Sequence, residues 1–171
     1  LMLSGKLDIT ENYRNSFAYS GGLVGGAEYV SFTDITTNVA VTAKKGSAPY
    51  PWSYVGGFAG TVKNADFLRC VNNGTVTTDG DYVSGFAAKS ETTTYTSCVN
   101  NGAITGRTKI GGFGGAVKST KTVDSYNTGT IGLAAYNGGN QGIGGLFGEM
   151  GYGSTLTRCY NTGAVTGDCY V

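Results

Sequence analysis

Short runs in which apolar and small polar residues alternate recur along this chain. Residues 75–77 read Thr-Val-Thr, and residues 103–105 read Ala-Ile-Thr. Alternation with a period of two is the pattern of a strand that buries one face. No segment places apolar residues at i, i+3, i+4 and i+7 over three helical turns, and glycine interrupts the chain every few residues. The pattern therefore predicts an all-β fold built from short strands.

Two motifs alternate strictly from residue 20 to residue 166. The first is a glycine-rich hexamer with one large apolar residue, and the second has cysteine or serine two residues before an asparagine and glycine two residues after it. The first motif occupies 20–25, 55–60, 83–88, 110–115 and 143–148, and the second occupies 70–76, 98–104, 125–131 and 159–165. Such regular alternation indicates an internal repeat.

The spacing within each repeat is nearly fixed. From the second glycine of the first motif to the glycine of the second motif the step is 17, 17, 17 and 18 residues, whereas the return steps are 11, 10 and 16. Repeats of this size cannot bury a face alone, so neighbours stack and insertions collect on one side. We predict one domain over 1–171, a parallel β-solenoid (β-helix) of about five coils with roughly three short strands per coil. The repeats are approximately 17–50, 51–81, 82–109, 110–142 and 143–171.

Equivalent positions of the repeats define columns of side chains. One of these columns consists mainly of cysteines. Because strand side chains alternate, we expect the cysteine column and two apolar columns to face the core, and the residues just before the cysteines to face water. The three core columns are Cys70, Cys98, Ser125 and Cys159; Val76, Ile104, Ile131 and Val165; and Leu23, Phe58, Phe86, Phe113 and Leu146. The cysteines are expected to be free thiols packed as small apolar groups.

The repeated Asn-x-Gly unit carries two further expectations. Its asparagines should stack on successive coils and hydrogen-bond along the stack. Its glycines should adopt positive φ where the chain turns a corner. The asparagines are Asn72, Asn100, Asn127 and Asn161, and the glycines are Gly74, Gly102, Gly129 and Gly163.

Composition and charge narrow the function. The 12 basic and 11 acidic residues leave a net charge of +1, which gives no electrostatic footprint for nucleic acid, and no segment is apolar enough for membrane insertion. The chain has no histidine, so the commonest general base and metal ligand are missing. Its carboxylates do not recur in one column. We therefore expect no catalytic residues, no metal and no cofactor.

The two motifs together resemble the GLUG motif, a repeat of large bacterial surface proteins that include adhesin-like and IgA-protease-like chains. The resemblance covers most of residues 20–166 in five copies, and residues 83–88 depart from it with serine and alanine at glycine positions. It implies an extracellular location on the bacterial cell surface, a longer polypeptide whose flanking domains are partners, and no catalytic residues. Residues 4–10 and 167–171 resemble parts of a repeat, so we expect a segment of a longer array.

The sequence leaves several functions open. The first is an adhesin or stalk module that binds a host glycan or surface protein through the corner insertions 43–54 and 133–142, whose aromatic residues could also simply cover the loop backbone. The alternatives are a self-stacking fibre segment, ice binding by a threonine face that is too irregular, and a β-helical carbohydrate-active enzyme domain. The candidate ligand contacts are Tyr50, Trp52, Tyr54, Tyr136, Asn137 and Asn140.

Overall fold

A computed structural model of the chain describes residues 1–11, 17–45, 52–134 and 142–167, and every regular element in these ranges is a β-strand. The strands are β1 (Met2–Glu11), β2 (Phe17–Gly21), β3 (Val24–Thr33), β4 (Thr36–Lys45), β5 (Trp52–Gly56), β6 (Ala59–Leu68), β7 (Val71–Asn72), β8 (Val76–Thr78), β9 (Tyr82–Ser84), β10 (Ala87–Thr96), β11 (Val99–Asn100), β12 (Ile104–Gly106), β13 (Lys109–Gly111), β14 (Gly114–Lys118), β15 (Lys121–Val123), β16 (Tyr126–Asn127), β17 (Ile131–Leu133), β18 (Gly142–Gly144), β19 (Phe147–Met150), β20 (Thr155–Thr157), β21 (Tyr160–Asn161) and β22 (Val165–Thr166).

The strands form three parallel sheets that the chain visits in turn. Sheet A has ten strands (β1, β4, β7, β8, β11, β12, β16, β17, β21 and β22), sheet B has five (β2, β5, β9, β13 and β18), and sheet C has seven (β3, β6, β10, β14, β15, β19 and β20). We call one traverse of the chain through strands of sheets B, C and A a pass. The strands of each pass pair in parallel with those of the pass before it. This arrangement confirms the predicted all-β class with parallel sheets and is consistent with a solenoid.

The core between sheets A and B is aliphatic and stacks in register. Val41, Val76, Ile104, Ile131 and Val165 pair in that order along sheet A. They pack against a matching column of sheet B that contains Val55, Val83, Ile110 and Ile143. The predicted apolar column is therefore confirmed, and the in-register pairing keeps each side chain on its partner in the next pass.

The core behind sheet C consists of two aromatic ladders. Phe58, Phe86 and Phe113 are completely buried and stack with ring centroids 4.8 Å apart, which confirms the predicted column. Phe67 and Tyr95 belong to a second ladder with a centroid separation of 4.9 Å, which the sequence analysis missed. The two ladders meet edge to face, an arrangement that aromatic quadrupoles favour.

The asparagine ladder is present and buried. The Nδ2 atom of Asn72 donates to Oδ1 of Asn100 at 2.7 Å, and Asn100 donates to Asn127 at 2.6 Å. Asn127 donates to Asn161 at 2.6 Å, and each of the four also donates to the carbonyl of the glycine two residues later. The first three asparagines are completely buried. Both amide hydrogens of Asn72, Asn100 and Asn127 are therefore satisfied.

The prediction that the motif glycines adopt positive φ is wrong. Among the described glycines only Gly5 and Gly153 have positive φ. A Cβ atom at Gly102 would instead collide with the carbonyl oxygen of Gly74 in the neighbouring pass, so glycine is required by close backbone approach. Five of the nine non-glycine residues with positive φ among the described residues lie at the position before the cysteine column or its equivalent in the first repeat. They are Asp34, Arg69, Ser97, Asp124 and Arg158, with φ between 50° and 55°, and they are exposed as predicted.

The cysteine column lies beside this turn. Cys70 and Cys98 are buried free thiols, and their Sγ atoms donate to the carbonyl oxygens of Phe32 and Phe67 in the pass before. The hydrogen bond with Cys70, together with burial, raises the pKa of the Cys98 thiol above its ordinary value. Cys159 is also free, and Cys169 lies outside the described residues. Cys70 and Cys98 therefore pack as small buried groups, as expected.

Replacing Asn100 with alanine should destabilise the protein by at least about 3 kcal/mol. The substitution leaves the buried amide of Asn72, the Oδ1 atom of Asn127 and the Gly102 carbonyl without their partner, and each unsatisfied group costs about 1 to 3 kcal/mol. Asn101→Ala, in the adjacent exposed position, is the matched control and should change stability by less than about 0.5 kcal/mol. Urea denaturation measures both, and equal effects would contradict the assignment.

Phe86→Ala should cost about 3 to 5 kcal/mol, because it removes a ring stacked on both Phe58 and Phe113 from a close-packed core. Tyr152→Ala, which removes a ring that is 75% exposed, is the control. Thermal denaturation should show a large fall in melting temperature for the first variant only. A melt of Phe86→Ala that matches the unsubstituted protein would show that the ring contributes no core packing.

Candidate functional site

The two predicted insertions connect the same pair of sheets. Residues 46–51 join β4 to β5, and residues 134–141, of which 135–141 form the insertion, join β17 to β18, so both lead from sheet A to sheet B. The strands that precede them are three steps apart in sheet A, roughly 14 Å at about 4.8 Å per step. The loops themselves lie outside the described residues. Tyr50, Tyr136, Asn137 and Asn140 lie in them and remain predicted ligand contacts.

Two short connections fill the corner between these insertions. Arg107, in the β12–β13 connection, forms an ion pair with the carboxylate of Asp81 in the β8–β9 connection. The hydroxyl of Thr108 donates to the carbonyl oxygen of Asp81 at 2.5 Å. Asp81 is buried, so these contacts tie neighbouring passes together at the corner. The strand ends that lead into the two insertions therefore lie on either side of these connected passes.

The other two predicted contact residues lie on the outer face of sheet B. Trp52 is 52% exposed, and its ring centroid lies 5.9 Å from that of Tyr82. Tyr54 is only 6% exposed, because its ring lies between those of Tyr19 and Tyr82 at 5.3 and 4.5 Å. Burial, followed by the nearby tyrosines, raises the pKa of Tyr54 to about 12, so its hydroxyl stays protonated at neutral pH. The structure thus joins both residues into one aromatic surface.

Beside this surface is a cleft of about 440 Å³, which we call the aromatic cleft. It lies where sheet B meets sheet C and is open to solvent. The side chains that define it are Tyr54, Tyr82, Lys89, Lys109, Glu149 and Tyr152. Tyr54, Tyr82 and Lys109 are successive partners in sheet B, and Lys89 and Glu149 both pair with Ala116 in sheet C.

The in-register stacking explains why a cleft forms here. Lys89 and Glu149 point outward from the same column, with Ala116 between them. Their Cα positions are two strand steps apart, about 10 Å, and the methyl group of Ala116 leaves the space between the two long side chains open. On the sheet B side the ring of Tyr82 ends the tyrosine column. The short side chain at one position therefore provides the floor of the cleft.

A lysine amino group lies near the ring of each of three tyrosines in the cleft. The Nζ atoms of Lys89, Lys109 and Lys118 lie 5.9, 5.3 and 4.8 Å from the ring centroids of Tyr54, Tyr82 and Tyr152 respectively. These distances are within the range of cation–π attraction. The cleft therefore combines apolar ring surface with hydrogen-bond donors.

Two of the three lysines are also paired with carboxylates. Lys109 forms an ion pair with Glu149, and Lys118 forms one with Glu91 at 3.4 Å. Burial acts to lower the pKa of Lys109, but the hydrogen bond to Glu149 and the neighbouring Tyr82 outweigh it, and the pKa is raised. No ion pair joins Lys89 to a carboxylate in the part of the chain that the structure describes. Lys89 is exposed and carries the one uncompensated charge of these three.

The sequence analysis missed most of this cleft, although a signal was present. Tyr19, Tyr54, Tyr82 and Lys109 each lie three residues before the second glycine of the first motif. Reading that column across repeats would have joined Tyr54 to Tyr82 and Lys109. Lys89, Glu149 and Tyr152 have no such signal, because the cleft depends on how sheet C is placed beside sheet B.

Comparisons with known proteins give no relative from which to assign this site. No family model, curated protein or solved structure matches the chain significantly. In the described ranges no group of three or more cysteine, aspartate or glutamate side chains is arranged to hold a metal ion. A search of the same ranges finds no helix with the length and apolar character needed to cross a membrane. The geometry of the cleft is therefore the basis for the functional argument.

Proposed function

We propose that this chain is a parallel β-solenoid of about five coils with roughly three strands per coil, and that it is a non-catalytic binding module whose aromatic cleft holds a glycan. The observation that carries the proposal is the meeting of tyrosine rings with lysine and glutamate side chains in one open cleft. Loops and surfaces on a rigid scaffold commonly carry recognition. Stacked, in-register strands supply such a scaffold here.

The chemistry of the cleft suits a sugar. A sugar ring has an apolar face of C–H groups, which packs against aromatic rings, and an edge of hydroxyls, which need donors and acceptors. Tyr152 offers a ring that is 75% exposed, and Tyr82 also lines the cleft. Lys109 and Glu149 can donate to and accept from hydroxyls between them. Apolar and polar surfaces are thus presented together.

The biological setting follows from the repeat pattern. The likeness of the repeats to the GLUG motif supports an extracellular module of a bacterial surface protein, acting as adhesin or stalk and joined to flanking domains of the same polypeptide. In that setting the ligand would be a host glycan or a glycan on a host surface protein. The carboxylates of Glu91 and Glu149 are engaged by lysines, which favours binding over catalysis.

A self-stacking fibre segment is the second candidate, and one observation favours it. Tyr160 stacks on Tyr126 at 4.8 Å but is 52% exposed, and Leu156 in the adjacent edge strand is 44% exposed. A second copy could cover these edge strands. Sedimentation velocity tests this candidate, because end-to-end stacking predicts a mass that grows with protein concentration. A concentration-independent monomer would contradict it.

Tyr152→Ala should weaken glycan binding about tenfold, since an aromatic residue at the centre of a contact typically contributes more than about 1 kcal/mol. The protein is applied to a printed array of host-type glycans, and the affinity for the glycans it retains is measured by calorimetry. Tyr160→Ala, an exposed tyrosine outside the cleft, is the control and should bind unchanged. Retention of no glycan, or equal losses in both variants, would contradict the proposed function.

A further inference from the structure

We propose that the glycan held by the aromatic cleft carries a negatively charged group, a carboxylate or a sulfate, and that this group binds the amino group of Lys89. The inference rests on the proposed glycan-binding function and specifies its ligand class. It depends on the charge balance of the cleft and on the position of one lysine. Lysine binds both kinds of acid group as a point charge, so carboxylate and sulfate share the same recognition chemistry.

The cleft has an excess of positive charge. Its three lysines, Lys89, Lys109 and Lys118, carry three positive charges, and its two carboxylates, Glu91 and Glu149, carry two negative ones, which leaves +1. The two glutamates are already paired with Lys109 and Lys118. The excess charge is therefore localised on Lys89 rather than spread over the cleft. The chain as a whole has a net charge of +1, so this local arrangement is not a consequence of a basic protein.

Lys89 is also placed where a bound sugar would meet it. It stands in the same outward column as Glu149, two positions away, and Ala116 forms the floor between them. The Nζ atom of Lys89 lies 5.9 Å from the centroid of the Tyr54 ring. A sugar ring resting over Ala116 would therefore lie between the Lys89 amino group and the Lys109–Glu149 pair. An acid group on the side of the sugar that faces Lys89 would give this third lysine a negatively charged partner.

The energetic argument separates charged from neutral ligands. A neutral sugar over the cleft would remove water from Lys89 without supplying a counter-charge, and desolvating an unpaired charge is unfavourable. An acid group replaces that water with a charge-assisted hydrogen bond, which is stronger than a neutral one. A cationic sugar would compete with Lys109 and Lys118 for carboxylates that are already engaged. The cleft should therefore select anionic sugars by a large factor.

The test uses an array of glycans in matched pairs, in which each neutral glycan is printed beside its uronic acid, sialylated and sulfated counterparts. The unsubstituted protein should bind at least one charged member about tenfold more tightly than its neutral counterpart at low salt, and raising the salt concentration should shrink that difference. Comparison of the carboxylated and sulfated members identifies which acid group is preferred. Calorimetry on the best pair gives the ratio.

Lys89→Met keeps the length of the side chain but removes its charge, and it should bring the charged and neutral members to equal affinity. Lys121→Met changes an exposed lysine of the same sheet that does not line the cleft, and it should preserve the preference. A thermal melt of each variant verifies folding. If the unsubstituted protein binds neutral and charged members equally, or if Lys89→Met keeps the preference, this inference is overturned while glycan binding stands. If no glycan binds, the proposed function fails with it.

Discussion

The contact between a buried asparagine and a glycine of the same pass is the constraint on which the rest of this structure depends. A Cβ atom at Gly57 would lie 2.7 Å from Oδ1 of Asn72, and one at Gly112 would lie 2.8 Å from Oδ1 of Asn127. The asparagine amide therefore occupies space that only a glycine leaves open. In each of these two cases the partners are 15 residues apart in sequence, which explains why the step between the two motifs hardly varies.

The asparagine–glycine contact also accounts for where insertions occur along the chain and for how the aromatic cleft forms. The asparagine ladder ties each pass to the next across the core, and the path from sheet B through sheet C to sheet A is held at constant length by the glycine contact. Length variation falls instead in the connections from sheet A to sheet B, where the two insertions lie. Because the register is fixed, outward residues such as Tyr82 and Lys109 line up and form one wall of the cleft.

Much of the fold was predictable because repetition converts sequence spacing into spatial register. The apolar columns, the asparagine ladder and the Phe86 stack followed from alternation and from equivalent positions in the repeats. Phe67 and Tyr95 were within reach of the same reasoning, since each lies three residues before a cysteine of the column. The φ values of the glycines could not be predicted from the sequence. Glycine is used both where the chain turns with positive φ and where two backbones approach closely, and only the packing of neighbouring passes shows which reason applies. The cleft joins two sheets, so no spacing within one motif indicates Lys89 or Tyr152.

The most direct test of this account is the hydrogen exchange of the asparagine side-chain amides, measured by NMR. The buried ladder predicts that the Nδ2 hydrogens of Asn72 and Asn100 exchange slowly, because each bridges two buried acceptors. Asn73 and Asn101 form an equivalent hydrogen-bonded row on the exposed face and should exchange rapidly. Equal exchange rates for the two rows would show that the ladder is not buried and would contradict the constraint proposed to set the register of the fold.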